Sequence, residues 1–347
     1  SPHGEPVVYE EIPHGGYFSL DDLAEIGAYA RARAVTVVPE LDVPGHATAI
    51  LAAYPEFGAT GEEYEVLDRW GISPAILSPL PETVAFLTTV MDEWISALGS
   101  VPYFHLGGDE VVLDHWDSSP AISRYRESLG LSSAAELHGW FLRRLADLLA
   151  ERGTRAVVWD EAFVAGSLRQ DTIVMPWRGM GVGRRAVAAG HDVVACPVFP
   201  LYLNYAASGD AAEPLAIGDT ITLDDVLAFE PAPASWTEEE RSRVLGLQGQ
   251  LWSEWIADAA TLDYHTWPRG CALAEIGWYG SPGDDFAGRL AVQLERLDAI
   301  GVDYRPLDGP RPWQRRRPHQ SNAYTMAEAM VILERMAETP DSTRPSM

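Results

Sequence analysis

Short apolar runs alternate along most of the chain with longer amphipathic stretches, and the two patterns predict different elements. Runs rich in β-branched and aromatic residues predict six buried strands, near 35–41, 103–106, 156–159, 173–176, 192–196 and 244–251. Ser19-Leu-Asp-Asp22 has the form of a capping box, and Leu23, Ile26 and Tyr29-Ala30 continue it as a helix to about Arg33. Val43-Pro-Gly-His-Ala47 predicts a turn into a short helix reaching about Tyr54. Pro81 opens a helix that runs to Leu98, and a strongly amphipathic helix covers about Ala134 to Arg152 and stops at Gly153. Further helices are expected over 181–189, 261–277, 284–300 and 321–338. Residues 1–18, 55–80 (with Trp70) and 112–132 (with His115 and Trp116) read as loops. So does most of 206–242, and the Pro- and Arg-rich stretch 305–319 reads as a solvated linker.

Each strand is separated from the next by a helix or a long loop, the signature of parallel βα units. The fold class expected is α/β, of the (β/α)8 TIM-barrel type. A closed barrel of that type needs eight strands. Residues 1–18 offer no further strand, so the chain is expected to lack the start of its barrel.

The strands also share a chemical feature: they end in carboxylates and aromatics. Collected, the ends offer Asp42 and His46, Asp109 and Glu110, Trp159 and Asp160, Trp177, Tyr202 and Asn204, and Trp252 and Glu254. Active sites of parallel α/β folds lie at the carboxyl ends of their strands. In Val101-Pro-Tyr-Phe-His-Leu-Gly-Gly-Asp-Glu110 the strand is followed by a glycine turn and two adjacent acids. Two carboxyl groups held close together in a water-poor site have their pKa values pushed apart, so one stays ionised while the other keeps a proton to give. Taken singly, an Asp-Glu pair is an ordinary solvated loop and a Trp an ordinary core residue. Four strand ends of the same kind point instead to a sugar site, where aromatic faces stack on C–H faces and carboxylates take hydroxyls.

Composition narrows the partners. The 347 residues carry 51 acidic and 25 basic side chains, all of the latter Arg, for a net charge of -26. That charge argues against nucleic acid and anionic membranes as partners. No apolar run approaches the ~20 residues of a membrane span. Cys196 and Cys271 have neither metal-ligand nor disulfide spacing, and both are expected to be buried thiols. The residues assign no compartment.

The motif His105-Leu-Gly-Gly-Asp-Glu110 resembles the signature of the family 20 glycoside hydrolases, the β-N-acetylhexosaminidases. The resemblance extends, in the family's order, to Val38-Pro-Glu-Leu-Asp-Val-Pro-Gly-His46, Val158-Trp-Asp-Glu161, Met175-Pro-Trp-Arg178 and Leu251-Trp-Ser-Glu254. It implies a retaining exo-hydrolase of N-acetylhexosamine glycosides that needs no metal or organic cofactor. The substrate's own acetamido group attacks the anomeric carbon, an exception to the two-carboxylate scheme. The resemblance makes Glu110 the general acid and then the base, and Asp109 the partner of the acetamido N–H. It makes Tyr202 the donor to the acetamido carbonyl and His46 a neighbour that sets the pKa of Glu110. Trp159, Trp177 and Trp252 become walls of the sugar site, with Asn204 and Glu254 taking hydroxyls. Residues 1–304 are then the catalytic domain, and 305–347 a linker and a helix packed on it.

Three departures from the family pattern stand out. No Arg ends a first strand, no Asp is present to pair with His46, and Asn204 stands where the family often has Asp. The alternative reading is therefore a carbohydrate-binding protein without catalysis. A metallohydrolase built on His46, Asp109 and Glu110 or His105 lacks the HxH and HExxH spacings.

Overall fold

The computed structural model describes residues 15–67, 71–217 and 219–315, so the expected helix 321–338 and Trp70 lie outside the described residues. The chain packs as two units, residues 1–174 and 175–347.

In the first unit, α1 (Leu20–Arg31) starts at the expected capping box: the Asp22 N–H donates to Ser19 Oγ (3.1 Å) and the Ser19 N–H to Asp22 Oδ2 (2.8 Å). After it come α2 (Thr48–Ala53), α3 (Pro81–Leu98), β1 (Tyr103–His105), α4 (Asp114–Ser118) and α5 (Pro120–Ser128). The unit continues with α6 (Ala134–Ala150), β2 (Arg155–Trp159) and α7 (Asp160–Ala165), and β3 (Ile173–Met175) is buried along its length. Helices α1 and α3 pack so closely that a Cβ on Gly27 would overlap the Leu98 carbonyl. Strands β1 and β2 are parallel, with Phe104 opposite Ala156. The apolar face of α6 (Leu137, Phe141, Leu142, Leu145, Leu149) is fully buried and packs on β2 and α7.

Two expectations change here. The stretch 35–41 is not a buried strand but a single parallel bridge, Glu40 to His105, and Val35 and Val38 are 56% and 44% exposed. It does run along β1, since the Leu41 N–H donates to His105 O (3.0 Å) and the His105 N–H to Pro39 O (2.8 Å). Pro39 has no N–H to donate, and among the described residues no strand lies on the segment's other side. The stretch 112–132, expected as loop, folds as α4 and α5. Ser119 caps α5 with Pro120 in its first turn, a start signal that the polar composition hid. Trp116 in α4 is 1% exposed, donates to Leu77 O (2.8 Å) and meets Phe141 edge-on.

The second unit continues the alternation with α8 (Met180–Ala188), β4 (Val193–Ala195), α9 (Val198–Leu201), α10 (Leu223–Leu227), α11 (Glu238–Ser242) and β5 (Val244–Leu247). Strands β4 and β5 are parallel, and a further bridge joins Tyr202 to Gln250. The expected helix 261–277 is two helices, α12 (Ala259–Thr266) and α13 (Arg269–Tyr279), because Pro268 can neither donate to nor fit within a continuous helix. Helix α14 (Phe286–Ala299) follows. Both cysteines are free, but only Cys196 is buried; Cys271 is half-buried on α13. Among the described residues no helix is long and apolar enough to cross a membrane.

Candidate active site

The first unit gathers its chemistry at the carboxyl end of β1. Beyond His105 the backbone turns through Gly107 (φ +66) and Gly108 (φ +94), and a Cβ on Gly107 would overlap the Asp42 carboxyl. That close approach lets the Gly108 N–H donate to Asp42 Oδ1 (3.0 Å). Replacing Gly107 by Ala is therefore expected to destabilise the fold by on the order of 2–4 kcal/mol, through left-handed strain and the clash together. The midpoint of urea unfolding measures this, and an unchanged midpoint refutes it.

Asp109 and Glu110 follow the turn, with Glu110 itself left-handed at φ +52. His46, at φ +48 in the Pro-Gly-His turn before α2, is the other left-handed side-chain bearer at the cluster. Two such residues meeting side chain to side chain store strain of a kind that concentrates at functional sites. His46 Nε2 lies 3.2 Å from Glu110 Oε2 and 3.7 Å from Asp109 Oδ2.

Behind them a second layer forms. Glu40 Oε1 accepts from the Trp159 indole N–H (3.0 Å) and lies 3.1 Å from His105 Nδ1, and the His105 and Trp159 rings are 4.5 Å apart. Neither Glu40 nor Asp42 received a role from the sequence. The available signal was their spacing: residues two apart on extended backbone point to the same face, here alongside β1.

Ionisation follows from this packing. Burial raises the carboxyl of Asp42 well above the usual range. The charge of Asp109 and a hydrogen bond to it push the same way. Asp109 is pushed up to about 7, by burial first and then by the charges of Glu161 and Glu110, against the pull of His46. Its Oδ1 is buried and has no hydrogen-bond partner among the described residues. Burial lowers His46, but the hydrogen bond to Glu110 and the charges of Asp109, Glu110 and Glu40 outweigh it and raise the imidazole to about 9. Glu40 is also opposed by burial, yet the neighbouring His105 and the Trp159 hydrogen bond hold it below the usual range.

The sign for stability follows directly. His46 has a folded pKa raised above its ordinary value of 6.5, so its stabilising contribution is complete below pH 6.5 and lost as pH rises through about 9. With 34% of its side chain open to water, that contribution is expected to be on the order of 1–2 kcal/mol. The stability gap between the protein and its His46→Gln variant should shrink by this amount between pH 6 and pH 9.5 in urea titrations. A gap that does not vary with pH rejects the assignment.

Asp42, His46 and Asp109 could each offer one atom to a metal ion, all within 4.8 Å of one another. At neutral pH, however, the raised His46 holds a proton, which a cation at this donor set would have to displace.

The second unit places the other expected residues. Tyr202, 9% exposed, closes α9 with its ring 6.4 Å from Trp252 and 6.2 Å from Tyr205. Asn204, 2% exposed, lies in the same turn, and its Oδ1 is buried without a partner among the described residues. Trp177 is buried, and its carbonyl accepts from the Val198 N–H (2.8 Å) at the start of α9. Trp252 is half-open to solvent, and Glu254 is exposed on the turn after it. Tyr202 and Trp252 are thus brought together, with Asn204 in the same turn as Tyr202, while Glu254 is exposed.

Residues 5–281 match the family model described as "Glycosyl hydrolase family 20, catalytic domain". A β-hexosaminidase of Porphyromonas gingivalis is 32% identical over 343 residues, which is 96% of this chain and 44% of that protein. One from Vibrio furnissii is 32% identical over 270 residues, 76% of this chain and 44% of the relative. Among solved structures, an exo-β-N-acetylglucosaminidase from Vibrio harveyi in complex with N-acetylglucosamine superposes with a TM-score of 0.74 at 30% identity. The match covers 84% of this chain and 47% of that one. The chain spans about half the length of the curated relatives it matches.

Proposed function

The chain belongs to glycosyl hydrolase family 20 and has its TIM-barrel fold, and from that premise we propose that it is a retaining exo-β-N-acetylhexosaminidase. It removes terminal N-acetylglucosamine or N-acetylgalactosamine by substrate-assisted catalysis. The observation that carries the reading is the contact of His46 with the adjacent pair Asp109 and Glu110, at 3.7 and 3.2 Å, inside the matched stretch.

In this reading Glu110 protonates the glycosidic oxygen as it leaves and later takes a proton from the water that opens the cyclic oxazolinium intermediate. The acetamido oxygen supplies the electron pair to the anomeric carbon, which makes the amide nitrogen partly cationic and its N–H a strong donor. Asp109 meets that N–H: its Oδ1 is a buried acceptor with a place to fill, and its negative charge stabilises the charge that develops. The upward shift of Asp42 favours its uncharged form beside Asp109, which lessens the repulsion between the two carboxyls. Protonated His46, 3.2 Å from Glu110 Oε2, holds Glu110 in position. Tyr202 is assigned the acetamido carbonyl, which it orients for attack. Trp159, Trp177 and Trp252 wall the sugar, with Asn204 and Glu254 on its hydroxyls. The substrate class is an N-acetylhexosamine-ended oligosaccharide or glycoconjugate, and residues 1–304 form the catalytic domain.

The test is release of N-acetylglucosamine, with retained β-configuration in the first-formed product, from an aryl N-acetyl-β-glucosaminide. Sugar binding in calorimetry with no product after long incubation selects a carbohydrate-binding protein instead.

A further inference from the structure

The turn that carries Tyr202 is held by one buried cation. Arg269, the first residue of α13, is 2% exposed. Its Nη1 donates to the carbonyls of Tyr205 (3.1 Å) and Ile221 (2.9 Å), and its Nη2 to those of Leu203 (2.5 Å) and His265 (3.0 Å). All four acceptors are main-chain oxygens, and two of them belong to the turn 202–205. The Leu203 carbonyl has a second neighbour, His265 Nδ1 at 3.2 Å. Burial and the charge of Arg269 lower His265 to about 4, so at neutral pH its ring is uncharged and donates through Nδ1.

The other side of the turn is also tied. The Leu203 N–H donates to Gln250 O (2.8 Å), the Gln250 N–H to Leu201 O (2.9 Å) and the Tyr205 N–H to Tyr202 O (3.1 Å). The plane before Leu203, which begins at the Tyr202 Cα, is held by the Leu203 N–H and the Tyr202 carbonyl, and the plane after it by Arg269 and His265. The two planes meet at the Leu203 Cα, so a shift of the second is passed through Leu203 to the backbone that carries the phenol.

Fold stability alone is a poor reason for a cation here. Burying a guanidinium costs solvation, and the first turn of a helix is the end whose dipole repels positive charge. An apolar side chain of similar length would avoid both costs only by taking these donors away from four carbonyls, so the fork ties this region together as well as fixing the turn. Burial lowers Arg269 only to about 10, with the charge of Glu213 working against it, so the group stays charged at neutral pH. What it supplies is a planar fork that reaches four carbonyls at once, which the single ammonium of a lysine cannot reproduce.

We propose that Arg269 is a positioning residue for the hydrolytic reaction: through the Leu203 and Tyr205 carbonyls it sets where the Tyr202 hydroxyl sits. The proposal rests on the reading in which Tyr202 orients the acetamido carbonyl. Arg269 touches no reacting atom and acts only through the turn.

A double-variant cycle on the full chain separates this from a merely structural role, with kcat and KM read on an aryl N-acetyl-β-glucosaminide. Arg269→Lys is expected to lower kcat ~10–100-fold, as a displaced orienting group does, with KM changed far less. Once Tyr202→Phe has removed the hydroxyl, the same Arg269→Lys change should cost less than about twofold, because there is nothing left to position. A loss of the full factor in both backgrounds overturns the proposal, and so does a loss confined to thermal stability. If Arg269→Lys shows no cooperative unfolding, His265→Leu removes the second donor to Leu203 O and leaves the guanidinium in place. It is expected to lower kcat several-fold in the Tyr202 protein and negligibly in the Phe background, and equal losses again overturn the proposal. A protein that leaves the glycoside intact without any substitution removes the hydrolase reading, and this proposal with it. An active protein with a multiplicative cycle removes only the role of Arg269.

Discussion

Glu110→Gln is expected to lower kcat/KM by ~10³–10⁴-fold on a substrate whose leaving group is another sugar, and far less on one whose leaving group is an activated phenol. The difference lies in where the proton is needed. A sugar alkoxide is too basic to depart unprotonated, so the acid carries most of the barrier lowering. A nitrophenolate departs readily as the anion and asks little of the acid. Glutamine keeps the shape of the side chain and an oxygen facing His46, which lies 3.2 Å from Glu110 Oε2, so the fold should hold, at a cost of no more than the ~1–2 kcal/mol assigned to the charged His46. Parallel measurements on a disaccharide and on an aryl glycoside check both halves. Equal losses on the two would remove Glu110 as the acid.

Replacing the acetamido group of the substrate by a hydroxyl is expected to lower kcat/KM by at least ~10⁴-fold. A nucleophile already tethered beside the anomeric carbon carries an effective molarity of ~10⁵ M or more, and the hydroxyl has no carbonyl oxygen with which to replace it. On the proposed mechanism Asp109 supports that nucleophile rather than acting as one, so it would not compensate. Asp109 is buried, its Oδ1 has no hydrogen-bond partner among the described residues, and the pKa of the carboxyl beside it, Asp42, is raised. An aryl β-glucoside and its 2-acetamido counterpart, compared at equal enzyme concentration, give the answer. Comparable rates would mean that an enzyme carboxylate attacks the sugar, and the substrate-assisted mechanism would be lost.

Both effects exceed those of single contacts because each removes a group whose work is done at the transition state. The changes at Gly107, His46 and Arg269 act one step back. They alter where or in what charge state the reacting groups are held, and they read out in stability or kcat by smaller factors.

Local patterns in the chain carried a large part of this picture. A strand, two glycines and two acids in succession identify a strand-end site, because the turn and the acids are covalently adjacent and need no distant partner. For the same reason Pro-Gly-His could be placed in a turn at residues 44–46. Helices with a capping box or a wide apolar face, such as α1 and α6, follow from periodicity, which is a property of the helix itself. Helices α4 and α5 escaped because short polar segments have no such period, and one proline inside an otherwise helical pattern hid the break between α12 and α13.

The amino-acid sequence by itself determined the candidate site residues and their order: Asp42, His46, Asp109, Glu110, Trp159, Tyr202 and Trp252. Tertiary structure alone decided what those residues are chemically. Glu40 meets Trp159 across 119 positions of sequence, and Asp42 is brought to the Gly108 amide across 66. An ionisation state depends on the water removed and on the charges brought near, and both are set by neighbours far away in the chain. That is why the raised pKa values of Asp42 and Asp109, the charge on His46, and the Arg269 fork on the Leu203 and Tyr205 carbonyls exist only in the fold.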